Sequence, residues 1–331
     1  MSVSRGVMGF KLLTWLSIAL GSTLTLAPTP ASAQYPAKPV RIIVPFAAGG
    51  STDSAARVLA NQLEKLWKQN VLVDDRPGGN QIVGVDVVVK SAPDGYNLVM
   101  PANPVLYEHL LNKNTPFVGP RDLSPMGIVC GAGLVIAVPN SLPARTFGEL
   151  VTYIKNNPGK VNWATTGGVT AGMEALRHQL GLASNVVDVA YKGGNLSMMA
   201  IVSGEAQVFA GSPLDALELS RAGRLRVIAY TEQPRHPLYP DIPTIGESNV
   251  GAPDHRSGFW FGIFGPAGVS NEIVNKVNTS ILESVRAPEV AEKYRSLGLQ
   301  TYSVNPAEMR QMIGTEVKGV ETLLAQGVKL R

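Results

Sequence analysis

A single cysteine, Cys130, stands among the 331 residues. An intramolecular disulfide, a cysteine-based zinc site and a Cys-x-x-Cys redox pair are therefore excluded. Histidine is also scarce: there are four, none in a His-Glu-x-x-His pattern. There is no P-loop closing on Lys-Ser/Thr and no Gly-x-Gly-x-x-Gly after a strand, so neither a metal nor a nucleotide cofactor is expected. Charged residues make up 16% and aromatics 6% of the chain. The basic residues are scattered, without the clustered Lys/Arg and interleaved aromatics of a nucleic-acid interface, so no nucleic-acid partner is expected. Beyond Leu26 no apolar run is long enough to cross a bilayer.

What is present begins with an export signature. Arg5 and Lys11 precede an apolar stretch from Leu12 to Leu26, and Ala31-Ser32-Ala33 fits a small-x-small cleavage pattern. Residues 1–33 read as a secretory signal peptide cleaved after Ala33, which directs the chain to the periplasm. A membrane anchor is the alternative, but its span needs about 20 apolar residues, more than this run offers. Without the segment, 27 basic residues face 25 acidic ones. A nearly neutral exported chain without disulfides suits a protein held by its hydrophobic cores. Single cores stop growing at roughly 250–300 residues, so two lobes are expected.

Strand and helix patterns alternate along the rest of the chain. "VRIIVPF" at 40–46 is the continuous apolar run of a parallel strand buried on both faces. Ala55, Ala56, Leu59, Leu63 and Leu66 then recur at helical spacing. "VLVDDRPGGN", "YNLVM", "KVNWA", "VVDVAYKG", "AQVFAGS", "LRVIAYT" and "GFWFGIFGP" supply further strands, with a helix opening near Thr146 and amphipathic stretches at 271–286 and 306–325. The repeated β-α-β punctuation predicts an α/β fold.

Between the first strand and helix lies Phe46-Ala47-Ala48-Gly49-Gly50-Ser51-Thr52-Asp53. A strand that passes through two glycines directly into a helix exposes that helix's free amides, and the dipole there favours a carboxylate or phosphate. A plain turn with Ser51 or Thr52 as N-cap fits the same residues. Asp53 competes with an anion unless its carboxylate turns away to cap backbone amides. "WATTGGVTAGMEAL" at 163–176 repeats the pattern in the other half, with Thr165, Thr166, Gly167 and Thr170 at the turn. Two such turns can grip one ligand from opposite sides.

Catalytic readings of the same segments are weaker. Gly168-Val169-Thr170-Ala171-Gly172 resembles a nucleophile elbow with threonine for serine, but His109, His178, His236 and His255 have no surroundings that mark a base. Asp74 and Asp75 are strand neighbours pointing to opposite faces, which reads as a solvated strand end. Cys130 lies in the apolar run "MGIVCGAGLVIAV" and reads as a buried small side chain.

The blocks "YPAKPVRIIVPFAAGGSTDSAAR", "DDRPGGN", "APDGYNLVM", "SLPARTFGELVTYIKNNPGKVNWATTG", "VAYKGG", "RAGRLRVIAYT", "YPDIPTIGES" and "FWFGIFGPAGV" together closely resemble the tripartite tricarboxylate transporter substrate-binding receptors, the Bug-type periplasmic proteins. The resemblance spans nearly the whole mature chain. It implies a type II periplasmic-binding-protein fold, in which two α/β lobes joined by crossing strands close on a small carboxylate. It also implies a receptor rather than an enzyme, acting as a monomer, without cofactor or metal, and working with the membrane permease subunits of a tripartite transporter. A signalling receptor uses the same binding chemistry, and an α/β hydrolase is the distant alternative.

On this resemblance the first lobe comprises residues 34–138 and 257–331 and the second residues 139–256, with hinges near Val138-Pro139 and Ser257-Phe259. Backbone amides of Phe46 through Asp53 hold the carboxylate, often through ordered waters, and Thr165, Thr166, Gly167 and Thr170 form the matching loop. Asn103, Ala210 and Ser212 complete the expected ligand-binding set. Three positions depart from the family pattern: Val169 and Met173 replace a glycine and a histidine, and Ala210 stands where an acid is frequent. Either they make a more apolar pocket that selects against amino acids and admits an aromatic or larger carboxylate, or they are neutral packing substitutions.

Overall fold

The apolar runs assemble two mixed sheets in the computed structural model, which describes residues 35–331 apart from 167–169, 192, 193, 238, 254, 256, 329 and 331. The expected signal peptide therefore lies outside the described residues. In chain order the first lobe starts with β1 (Val40–Val44), α1 (Ser51–Trp67), β2 (Val71–Asp75), α2 (Ile82–Val89) and β3 (Asn97–Val99). A 3-10 segment at Asn103–Tyr107 and the short helices α3 (Glu108–Leu111) and α4 (Gly119–Asp122) lead to the long β4 (Leu123–Gly133). The second lobe holds β5 (Val135–Pro139), α5 (Phe147–Asn156), β6 (Val161–Thr166), α6 (Thr170–Gln179), β7 (Val186–Tyr191), α7 (Gly194–Ser203), β8 (Val208–Gly211), α8 (Pro213–Arg221) and β9 (Leu225–Tyr230). The chain returns through β10 (Gly258–Pro266), α9 (Asn271–Arg286), α10 (Pro288–Ser296), β11 (Gln300–Thr301) and α11 (Pro306–Ala325). Tyr35–Arg331 form one compact unit.

The strand order is β11-β4-β10-β3-β1-β2 in one sheet and β7-β6-β8-β5-β9 in the other. Each sheet contains a parallel trio whose first strand lies between the second and third: β2-β1-β3 and β7-β6-β8. An antiparallel strand, β10 or β5, flanks each trio. No repeat is visible in the residue types, yet the two lobes repeat one topology.

Alternation along β1 explains how helices cover both faces. Ile42 and Val44 pack with Ala55, Leu59 and Leu63 of α1, and Ile43 packs with Val85 and Val88 of α2. In the second lobe Trp163 and Val208 meet Met173 and Leu176 of α6, and Ala164 and Phe209 meet Met198 and Ile201 of α7. Trp67 fastens α1 to α9 by donating to Ser280 Oγ at 2.7 Å. Truncating fully buried Leu63 to alanine costs about 2–5 kcal/mol of stability, with little effect expected on the site itself.

The first crossing between sheets differs from expectation. β5 bonds to β8 and β9 of the second sheet, so the chain leaves the first sheet at Leu134 rather than at Val138-Pro139. The apolar run across 126–138 conceals this break, because both strands of the run are buried. On its return the chain joins β4 at Gly258. Cys130 is fully buried in β4, where burial pushes its thiol pKa well up and leaves it inert.

Candidate functional site

In an open α/β sheet, ligands bind beyond the carboxyl ends of parallel strands where the strand order reverses. That point lies between β1 and β3 in one lobe and between β6 and β8 in the other. The described chain there consists of 45–50 after β1, Met100–Asn103 after β3 and Ser212 after β8. Apart from Gly167, which lies outside the described residues, every residue of the sequence-predicted set falls on these segments or on the strand and helix ends beside them.

The first segment is open. Ala47, Ala48, Gly49 and Gly50 are exposed, and Phe46 is half-buried. Gly50 is the N-cap of α1 and gives it no side-chain cap, and the first helical bond runs from the Ser54 amide to the Gly50 carbonyl. Ser51 and Thr52 are thus inside the helix and do not cap it. The amides of Ser51, Thr52 and Asp53 precede that first bond, and no partner meets them among the described residues. Gly49 has φ +80°, a conformation that favours glycine.

Asp53 resolves the charge problem it raises. It is 5% exposed, and its Oδ2 accepts from the Gly49 amide at 2.8 Å. Its Oδ1 pairs with Arg57 Nε at 2.6 Å, and Arg57 Nη2 reaches Asp75 Oδ2 at 3.2 Å. Asp74 pairs with Arg41 at 3.6 Å and Arg76 at 3.0 Å. The two aspartates are therefore ion-paired rather than a merely solvated strand end. Burial, with the charge of Asp53 beside it, raises the Asp75 pKa. The Asp53–Arg57 spacing of four residues is the one signal from which sequence could have found this link.

Asn103 is buried in a bracket of its own. Its Oδ1 accepts from the Trp260 amide at 3.1 Å and its Nδ2 donates to Glu316 Oε2 at 3.0 Å, while Trp260 Nε1 donates to Glu316 Oε1 at 2.7 Å. These bonds tie the segment after β3 to β10 and α11. Burial raises the Glu316 pKa against the pull of these bonds.

In the second lobe Gly167 and Val169 lie outside the described residues. The backbone of Thr166 ends β6 and that of Thr170 starts α6. Thr165 is fully buried, and its Oγ1 has no hydrogen-bond partner among the described residues. It pairs in register with Ala210, so both side chains share one face. Ala210 and Met173 are fully buried in one core cluster with Trp163. Both side chains pack into that core. Ser212 is the N-cap of α8, accepting from the Leu214 amide at 3.3 Å. Asp215, in the first turn of α8, has its carboxyl pushed up to about 6 by burial.

Aromatic and apolar contacts join the lobes around these segments. Phe46 and Phe261 rings lie 6.4 Å apart and Phe261 and Phe259 rings 5.3 Å apart, and Phe259 packs against the cores of both lobes. Ala171, the second residue of α6, shares a buried cluster with Tyr107 and Val320 of the first lobe. His255 Nε2 lies 3.0 Å from Ser257 Oγ, but this pair is no nucleophile and base. Ser257 is 7% exposed and sealed by Gly172, where an added Cβ would meet the Ser257 Cβ at 2.5 Å. Two open grooves, of about 410 Å³ on α9 and about 500 Å³ on α5, touch none of the candidate residues.

The profile of the tripartite tricarboxylate transporter family receptors matches residues 55–327. The chain belongs to this family. Protein BugT of Bordetella pertussis is 30% identical over 311 residues, covering 93% of this chain and 94% of BugT. The structure of the periplasmic binding protein BugD is similar at 26% identity and TM-score 0.76, covering 89% of this chain and 99% of BugD. A protein of R. palustris, Rpa4515 with adipate, is similar in fold at 23% identity and TM-score 0.79, covering 89% and 99%. The tripartite tricarboxylate receptor family consists of periplasmic solute-binding proteins, so this chain is a binding protein and not an enzyme. Its two lobes have the type II periplasmic-binding-protein fold.

Proposed function

We propose that this receptor captures a small organic carboxylate in the periplasm, after export and cleavage behind Ala33, and delivers it to the membrane subunits of a tripartite transporter. The observation that carries the reading is the open first turn of α1, where the amides of Ser51, Thr52 and Asp53 beside two glycines meet no partner among the described residues. Unpaired amides at a helix start are suited to an anion. The adipate named for a protein of the same fold supports the ligand class.

The ligand in this reading lacks an amino group. Strand β8, with Ala210 packed in the core at its end, carries no carboxylate to pair with a ligand ammonium, and a desolvated, unpaired ammonium is strongly disfavoured. A thermal-shift screen with succinate, adipate, citrate, aspartate, benzoate and phenylacetate tests this. A ligand present at 100 times its Kd stabilises the folded protein by about 2.7 kcal/mol. A rise in Tm with one of the carboxylates and none with aspartate is expected; no rise with any of them overturns the reading.

A further inference from the structure

The turn of α1 presents a contradiction in charge. A helix start offered to an anion carries a carboxylate, Asp53, on its third residue, 5% exposed and held to the turn by the Gly49 amide. That bond orders the turn, but the negative charge opposes a second carboxylate nearby. Arg57 sits one turn further along α1, in contact with Asp53 and with Asp75 at the end of β2.

The second lobe contains the same construction. Arg177 of α6 pairs with Glu174 of its own helix and, at 3.1 Å, with Asp188 of β7. Both arginines rise from the first helix of their trio and bridge an acid on that helix to an acid on the edge strand. The two differ in what they serve. Arg177 is 1% exposed and lies over the Trp163 ring at 5.5 Å, within the core. The Arg57 side chain is 52% exposed, and its Asp53 partner holds the turn.

We infer that Arg57 is a positioning residue for ligand binding: its charge cancels that of Asp53, so the carboxylate that orders the Gly49 turn does not repel the carboxylate ligand. The inference rests on the receptor reading above. Arg57 acts through Asp53 and needs no contact with the ligand. Charge, rather than the fork shape of the guanidinium, is what it supplies.

Calorimetric titration tests this with whichever of succinate, adipate, citrate, benzoate or phenylacetate binds the parent most tightly. Arg57→Gln is expected to weaken binding about five- to tenfold at low salt, because it leaves two aspartates uncompensated. The deficit should shrink as salt rises from 20 to 300 mM, since screening acts on charge and not on shape. Arg57→Lys should keep near-parental affinity. The double variant Asp53→Asn with Arg57→Gln should recover it, because asparagine retains an oxygen for the Gly49 amide without the charge. Parental binding by Arg57→Gln, or a salt-independent loss shared by Arg57→Lys and the double variant, overturns the inference alone. A parent that binds none of the set overturns the receptor reading with it.

Discussion

The Thr231 hydroxyl accepts from the Leu134 amide at 2.7 Å and donates to the Ser257 carbonyl, so a single side chain ties together the two segments that pass between the sheets. Thr231 is 1% exposed, and its own backbone completes the tie: its amide donates to the Leu134 carbonyl at 2.9 Å and its carbonyl accepts from Ser257 at 3.3 Å. Thr231→Val keeps the shape and removes the hydroxyl. Two buried backbone groups lose a partner, which costs about 1–3 kcal/mol each when unsatisfied. Urea unfolding should show a lower midpoint with an unchanged slope, and Thr231→Ser should restore most of the loss. An unchanged midpoint in Thr231→Val would remove Thr231 from the account of the hinge.

Asp215 gives a pH signature. Burial lifts its pKa to about 6, above the ordinary aspartate value of 3.8, so the folded state holds its proton more tightly than the unfolded state does. Stability from this group is full below about pH 4 and is lost as pH rises through about 6. Asp215→Asn should therefore gain on the parent as pH climbs from 4 to 7, by on the order of 1–3 kcal/mol at the plateau. His255 works in the opposite sense, because burial lowers it to about 4; its contribution is lost as pH falls from about 6.5 toward 4. The variant-minus-parent difference in Tm isolates Asp215. A flat difference across that range would contradict the assignment.

Much of this architecture is legible in residue order, and the exceptions have physical causes. The first strand, α9 and α11 follow from apolar periodicity, because each buries a single continuous face or run. The glycine turn after β1 stands out because glycine, serine and threonine mark a helix start. The end of β4 does not, since residues on both sides of Leu134 are equally buried and nothing in their type says which sheet they join. The packing partners of Asn103, Ala210 and Met173 also escape, because they lie far away in sequence. The strand partners of the repeated arginine clips are invisible for the same reason: Asp75 and Asp188 come from other elements than the helices that carry Arg57 and Arg177.

Closure of the lobes can be examined through Ala171. It is 6% exposed in a cluster with Tyr107 and Val320, so an acid placed there must be desolvated whenever the lobes meet. Ala171→Asp should leave the secondary structure of each lobe intact by circular dichroism. It should weaken carboxylate binding about tenfold, since a binding-competent state made rarer lowers apparent affinity in proportion. Small-angle scattering should show the parent contracting on ligand and the variant contracting less. Equal contraction and equal affinity would mean that this cluster has no part in closure.

The claim that the turn after β1 holds a carboxylate is tested most directly by calorimetric titration of the parent and Gly50→Val with the carboxylate that raises the parent's Tm most. Gly50 has φ −78°, and an added Cβ would meet no atom closer than the Ala47 carbonyl oxygen at 3.4 Å. Valine is therefore compatible with the fold, whereas at Gly49, with φ +80°, it adds backbone strain of about 1–2 kcal/mol. The account predicts a Gly50→Val protein with near-parental Tm in the absence of ligand and no measurable heat of carboxylate binding, because the side chain blocks approach to the free amides. Parental affinity in Gly50→Val would contradict it.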